Sequence, residues 1–166
     1  MSKIAIVYGT STGATEGVAS KIEKVLGNAD TQIFDVARVT VDQLKPFDFL
    51  ILGASTTGYG DLQDDWDSFL PKFKTLDFTG KKVALFGLGD SSSYSDTFAN
   101  GMAVIYEAIK DNAEIVGAVS TEGYTYDDSE AVVDGNFVGL ALDEDNEFDQ
   151  TDARIAAWVK DLKQYI

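Results

Sequence analysis

Three stretches rich in glycine and hydroxyl side chains carry the residue types that could hold a phosphate and a flat ring. The first is Gly9-Thr10-Ser11-Thr12-Gly13-Ala14-Thr15-Glu16-Gly17, where a strand-like run ends and a helical pattern begins. Free backbone N–H groups and the dipole at a helix start attract an anion, and the hydroxyls of Thr10, Ser11 and Thr12 add donors. The stretch has no Lys or Arg, so it lacks the GxxxxGK[ST] of a nucleotide-triphosphate loop. Its glycines at 9, 13 and 17 are spaced GxxxGxxxG, unlike the GxGxxG of a dinucleotide fingerprint. A single phosphate monoester, held by N–H and O–H donors, fits it better than ATP or NAD, although Thr12 is equally placed simply to cap the helix.

The second stretch is Ala54-Ser55-Thr56-Thr57-Gly58-Tyr59-Gly60-Asp61, and the third is Leu88-Gly89-Asp90-Ser91-Ser92-Ser93-Tyr94. A planar ligand would be gripped by stacking on Tyr94, with backbone N–H and C=O groups reading its polar edge. Taken singly, either tyrosine reads as a partly buried surface aromatic. One anion loop and two aromatic-bearing loops on a common edge point to a phosphorylated planar heterocycle.

A common edge is what the surrounding elements predict. Residues 3–8 (KIAIVY), 47–53 (FDFLILG) and 82–87 (KVALFG) read as buried parallel strands, and residues 31–36 (TQIFDV) as a strand near a sheet edge. Helical periodicity follows each: Val18, Ile22, Val25 and Leu26 share one face of the first helix, and further helices are expected over 65–76, 98–110 and 151–165. Ile155, Val159 and Leu162 form one stripe of the last helix with Trp158 beside it, while Trp66, at the start of a helix, is read as core. Thr40 and Gln43 have capping-box spacing. A fifth strand over 114–120 closes the alternation, giving an α/β fold: a doubly wound, five-stranded parallel sheet flanked by helices. About thirty residues then separate Ser120 from Thr151, with a further strand-like run at 137–142 (FVGLAL), so an insertion with its own structure interrupts the fifth strand. In such a sheet ligands lie beyond the carboxyl ends of the strands, where the three stretches fall.

Composition narrows the chemistry. The 166 residues are 45% apolar and are expected to form a single domain over 1–166. The chain has no Cys and no His, which removes thiol nucleophiles, histidine bases, disulfides and zinc, iron–sulfur or haem ligation. Redox chemistry would need a bound organic cofactor. A formal charge of −15 opposes binding to nucleic acid or an anionic membrane. With no signal-like or membrane-spanning run, a cytoplasmic monomer is expected. The acidic run at 143–149 superficially suggests calcium ligands but lacks the glycine and terminal glutamate of an EF-hand loop, and no metal site is expected.

Taken together, TSTGAT at 10–15, STTGYGDLQDDW at 55–66, GLGDSSSY at 87–94 and GLALDEDNEFDQTDARI at 139–155 strongly resemble the flavodoxins, small FMN proteins that carry electrons. The likeness spans essentially the whole chain, and the insertion makes it similar to the long-chain subgroup. It implies a flavodoxin-like fold, FMN as cofactor and no catalytic residue. By the resemblance, Thr10, Ser11, Thr12, Gly13, Ala14 and Thr15 hold the phosphate. Ser55, Thr56, Thr57, Gly58, Tyr59 and Gly60 of the second loop, and Leu88, Gly89, Asp90, Tyr94 and Thr97 of the third, meet the ring system. Tyr94 would stack on one face, with Gly89 and Asp90 along the pyrimidine edge. A tryptophan commonly covers the other face, where this chain has Thr57, so Tyr59 is expected to cover it in part or to leave it more exposed.

The resemblance further implies a low-potential one-electron carrier working through a stabilised neutral semiquinone, with the Gly58-Tyr59 peptide turning over on reduction. Glycine tolerates that turn at little steric cost. Asp61, Asp64, Asp65, Asp67, Asp90 and Asp96 would oppose the second electron. At about 10 Å and an effective dielectric near 40, each contributes on the order of 0.8 kcal/mol, or about 35 mV for a one-electron couple. Between Asp111 and Asp152 lie 13 Asp/Glu and no Lys or Arg. That surface could steer basic redox proteins, a flavin-dependent reductase as donor and oxidoreductases as acceptors, or serve only for solubility. A phosphoacceptor receiver domain would need acidic residues where Thr10-Ser11 and Ser55-Thr56 stand. A flavin enzyme such as a quinone reductase would need a substrate pocket and a nicotinamide site for which no residues are evident.

Overall fold

The first strand, β1 (Ile4–Gly9), is buried from end to end, and its alternate side chains enter two different cores. The computed structural model describes residues 3–10, 13–27, 30–57 and 59–166. After β1 come α1 (Ala14–Leu26), β2 (Thr31–Asp35), α2 (Val41–Leu44), β3 (Phe49–Thr57), β4 (Asp61–Leu62), α3 (Asp64–Phe73), β5 (Lys82–Leu88) and α4 (Asn100–Ile109). They are followed by β6 (Glu114–Val116), β7 (Val119–Ser120), β8 (Val132–Val133), β9 (Asn136–Phe137), β10 (Leu140–Leu142) and α5 (Phe148–Leu162), with a 3-10 turn at Lys163–Tyr165.

The parallel sheet runs β2-β1-β3-β5, and both β6 and β10 pair with β5. Because strand side chains alternate, Ala5, Val7, Leu50, Leu52, Val83 and Leu85 meet Trp66, Phe69 and Phe73 of α3 and Met102 and Ile105 of α4. Ile4, Ile6, Phe49, Ile51, Ala84 and Phe86 instead meet Val18 and Ile22 of α1 and Ile155, Trp158 and Val159 of α5. Burial on both faces is why these strands read as unbroken apolar runs. Trp66 is fully buried and its indole N–H donates to the Gly53 carbonyl at 2.7 Å, which fixes α3 on the sheet. The expected capping box is present: the Thr40 side chain accepts from the Gln43 N–H and the Gln43 side chain from the Thr40 N–H.

The fifth strand is interrupted, and at a different point from the one the sequence suggests. Glu114–Val116 pairs with Lys82–Ala84, but Gly117, at φ +86°, turns the chain out, and Val119–Ser120 leaves the main sheet. There it joins a small antiparallel sheet with β9 and β8. The second half of the strand is Leu140–Leu142, aligned with Phe86–Leu88. The Trp158 indole N–H donates to the Gly117 carbonyl at 2.8 Å and holds the exit point. Inside the insertion the Tyr124 hydroxyl donates to the Ala141 carbonyl at 2.7 Å, and burial pushes this phenol up to about 12.

Helix boundaries differ modestly from expectation, α3 and α4 both being shorter at their C-terminal ends. In α1, Val25 is 42% exposed while Val18, Ile22 and Leu26 are buried, so it lies off the apolar face. The last helix starts at Phe148 rather than Thr151, which is buried and whose hydroxyl donates to Glu144 Oε2 at 2.9 Å. No helix among the described residues is long and apolar enough to cross a membrane.

Candidate functional site

The three sequence-predicted loops converge at the carboxyl edge of the sheet. At the end of β1, Thr10 Oγ1 accepts from the Gly13 N–H at 2.8 Å. Gly13 is the N-cap of α1, with φ +92°, a conformation that favours glycine. Ala14 and Thr15 form the first turn of α1, and the Thr15 side chain is fully buried. Ser11 and Thr12, including the possible Thr12 cap, lie outside the described residues, as does Gly58.

The second loop is the tail of β3, where Thr56 and Thr57 pair antiparallel with Leu62 and Asp61 across the turn at Tyr59 and Gly60. The N-terminus of α4 secures it, Gly101 donating its N–H to Thr56 Oγ1 at 2.9 Å. In the third loop Asp90 Oδ1 accepts from the Ser93 and Ser92 N–H groups at 2.8 and 3.1 Å, and the Asp90 carbonyl accepts from the Tyr94 N–H at 3.0 Å. This brings Tyr94 to the mouth of the edge, where its ring meets that of Tyr59.

A cleft of about 240 Å³ opens between these loops. Of the sequence-predicted residues, Ala14, Ser55, Thr56, Thr57, Leu88, Gly89, Asp90, Tyr94 and Thr97 line it, whereas Thr10, Gly13, Thr15, Tyr59 and Gly60 stand around it without lining it. Glu144 and Asp145 complete the wall, and sequence reasoning missed them. The signal was available. They follow directly on the second half of the fifth strand, so the rule that ligands lie beyond strand ends selects them once that half is placed at Leu140–Leu142.

The same segment is tied to the third loop. Fully buried Asp143 accepts from the Ser91 N–H at 3.0 Å and from the Ser91 hydroxyl, and from Asn146 N and Nδ2 at 3.0 and 3.1 Å. Asn146 Nδ2 also reaches Asp90 Oδ1 at 2.8 Å. Partial burial pushes the Asp90 carboxyl up, but the hydrogen bonds from Ser93, Asn146 and Ser92 outweigh it and hold it below its ordinary value. Asp145 moves the other way: burial, then repulsion from Asp90 and Asp143, raises it.

The donor set suits an uncharged-donor phosphate site beside a flat ring. Thr15 Oγ1, Ser55 Oγ and Thr97 Oγ1 are buried without a hydrogen-bond partner, one in each of the three loops. Thr31 Oγ1, at the opposite end of β2, is the other such hydroxyl among the described residues. A buried hydroxyl left unpaired costs about 1–3 kcal/mol, and three of them around one cleft mark where a polar ligand would supply the missing partners.

Comparison with known proteins agrees with this geometry. A flavodoxin family model matches residues 6–158. The chain is 47% identical over 163 residues to the flavodoxin of Helicobacter pylori, covering 98% of each, and 42% identical over 165 residues to that of Synechocystis sp., covering 98% of this chain and 97% of that one. Among solved structures, Fusobacterium nucleatum flavodoxin bound to flavin mononucleotide superposes with a TM-score of 0.94 at 34% identity, over 100% of this chain and 99% of that one.

Proposed function

Since the chain belongs to the flavodoxin family, electron-transfer proteins rather than enzymes, we propose that it binds FMN non-covalently at this cleft and passes electrons singly between redox proteins. The three partnerless hydroxyls of Thr15, Ser55 and Thr97, one per loop, carry the assignment. Bound FMN would supply a centre able to take up one or two electrons. The chain supplies the rest. Thr10, Ser11, Thr12, Gly13, Ala14 and Thr15 hold the phosphate without a basic side chain. Leu88, Gly89 and Asp90 would lie along the ring's polar edge, Tyr94 would stack on one face, and Ser55, Thr56 and Thr97 would close the floor, with Gly60 against Thr97 behind them. Small Thr57 would leave the second face to Tyr59.

The finer reading is a low-potential carrier with a stabilised neutral semiquinone. Its support is charge: Asp90, Glu144 and Asp145 line the cleft and would oppose the negative charge that the second electron adds, while the first, accompanied by a proton, adds none. We further assign basic-surfaced proteins as partners, a flavin-dependent reductase as donor and oxidoreductases as acceptors. The net charge of −15 favours encounter with them, the chain acting as a single-domain monomer.

An anaerobic dithionite titration followed by visible absorbance tests this. Oxidised flavin bands giving way at half reduction to a broad long-wavelength band is the expected result. Direct bleaching would overturn the one-electron reading, NAD(P)H oxidation by the protein alone would make it an enzyme, and no flavin binding would overturn the site.

A further inference from the structure

Gln63 follows β4 and caps α3, and at 2% exposure its amide lies wholly inside the protein. Its Oε1 accepts from the Trp66 N–H at 3.2 Å, while its Nε2 donates to Asp65 Oδ2 at 3.0 Å and to the Thr10 carbonyl at 3.3 Å. These partners fix the amide's orientation. A backbone N–H can pair only with the oxygen, and a carboxylate and a carbonyl only with the NH2 group. Sterics enforce the same contact from the strand side: a Cβ on Gly9 would fall 2.3 Å from Gln63 Oε1 and 2.5 Å from the Trp66 ring. Gln63 itself does not line the cleft.

Thr10 opens the phosphate loop. A cradle that binds an anion through backbone N–H groups works only while its carbonyls point away from the anion. Drawing the Thr10 carbonyl onto Gln63, which does not line the cleft, keeps that acceptor out of the anion's place, and the Gly13 N–H holds Thr10 a second time through its hydroxyl.

We propose that Gln63 is a positioning residue that holds the Thr10 carbonyl away from the bound anion, and thereby makes the site prefer FMN over its dephosphorylated form, riboflavin. The inference rests on the FMN reading of the cleft.

Two variants separate the hydrogen bond from other effects. Gln63→Glu keeps the side chain's length and its acceptor for Trp66 but loses the donor to Thr10. Gln63→Met fills the space without charge. Full-length protein freed of flavin is titrated with FMN and with riboflavin, following quenching of flavin fluorescence, with circular dichroism confirming that each variant is folded. Both variants are expected to weaken FMN about tenfold, the worth of roughly one hydrogen bond, and to change riboflavin by no more than about twofold. Equal weakening of both flavins, weakening in Gln63→Glu alone, or no change in either variant while the parent binds both flavins would overturn the role of Gln63. A parent protein that binds neither flavin would overturn the FMN reading itself.

Discussion

The rings of Tyr59 and Tyr94 meet edge to face, their centroids 5.7 Å apart and their planes at 82°. They are unequal partners. Tyr94 is 37% exposed and lines the cleft, whereas Tyr59 is 82% exposed and stands at its rim. A flat ligand stacked on Tyr94 buries much more of that ring than of Tyr59. Tyr94→Ala is therefore expected to weaken FMN binding tenfold or more, at about 1.5 kcal/mol or above, and Tyr59→Ala by about threefold or less. Flavin fluorescence quenching reads both, and equal losses would show that the two rings share the load.

Thr57 offers little surface to a ring beside it. It lies in the cleft wall, its hydroxyl donating to the Asp61 carbonyl at 3.4 Å. Thr57→Trp should tighten FMN binding and shift both reduction potentials, because a second aromatic face excludes water from the ring. If affinity and potentials both stay as they are, Thr57 does not lie against the flavin.

Asp90 and Asp145, whose carboxyls shift in opposite directions, should give stability effects of opposite sign. The lowered Asp90 stabilises the fold above the ordinary carboxylate value, and that contribution is lost as pH falls through its folded pKa. The raised Asp145 favours the fold in its protonated form, so its contribution is present at low pH and lost as pH rises through its folded pKa. At pH 7 Asp90→Asn should lower the urea midpoint and Asp145→Asn should raise it. Each change should be within about 1 kcal/mol, since Asp145 in particular is exposed and solvent screens it. The Asp145 difference should shrink as the pH is lowered toward 4, and the Asp90 difference only below that, as the pH falls through its lowered value.

The acidic surface should make electron delivery to a basic acceptor depend on salt. With the reduced protein and a basic c-type cytochrome as acceptor, the second-order rate constant should fall several-fold between about 10 and 150 mM ionic strength, as the Debye length shortens from roughly 30 to 8 Å. A rate that does not respond to salt would assign the 13 carboxylates between Asp111 and Asp152 to solubility alone.

The elements that place the site were readable because their burial is of one kind. β1, β3 and β5 are covered on both faces, so their apolar runs could be strands of a parallel sheet, and the loops after them could be located. The capping box at Thr40 and the core role of Trp66 were also legible, each from its position at a helix start. The fifth strand was harder. Val119 and Ser120 continue the apolar pattern of 114–116, and only the conformation at Gly117, with Trp158 holding its carbonyl, shows that they belong to another sheet. That one displacement hid Glu144 and Asp145. The start of the last helix was set three residues late, at Thr151 rather than Phe148, and the pairing of the Thr151 hydroxyl with a carboxylate seven residues earlier is not something local spacing reports. Gln63 gave no signal, since its partner Thr10 lies 53 residues away.

The split fifth strand also orders events while the chain is being made. The Phe86–Leu88 edge of β5 has no native neighbour until Leu140–Leu142 has been synthesised, although Glu114–Val116, which completes the other half of the same edge, is available some two dozen residues sooner. Ribosomes add about 5–20 residues per second, so the exposed half-edge persists for a second or more in each nascent molecule. It is a short, apolar strand edge, the kind that pairs with other chains. This hazard therefore ends only when the wall of the protein's own binding cleft comes into being.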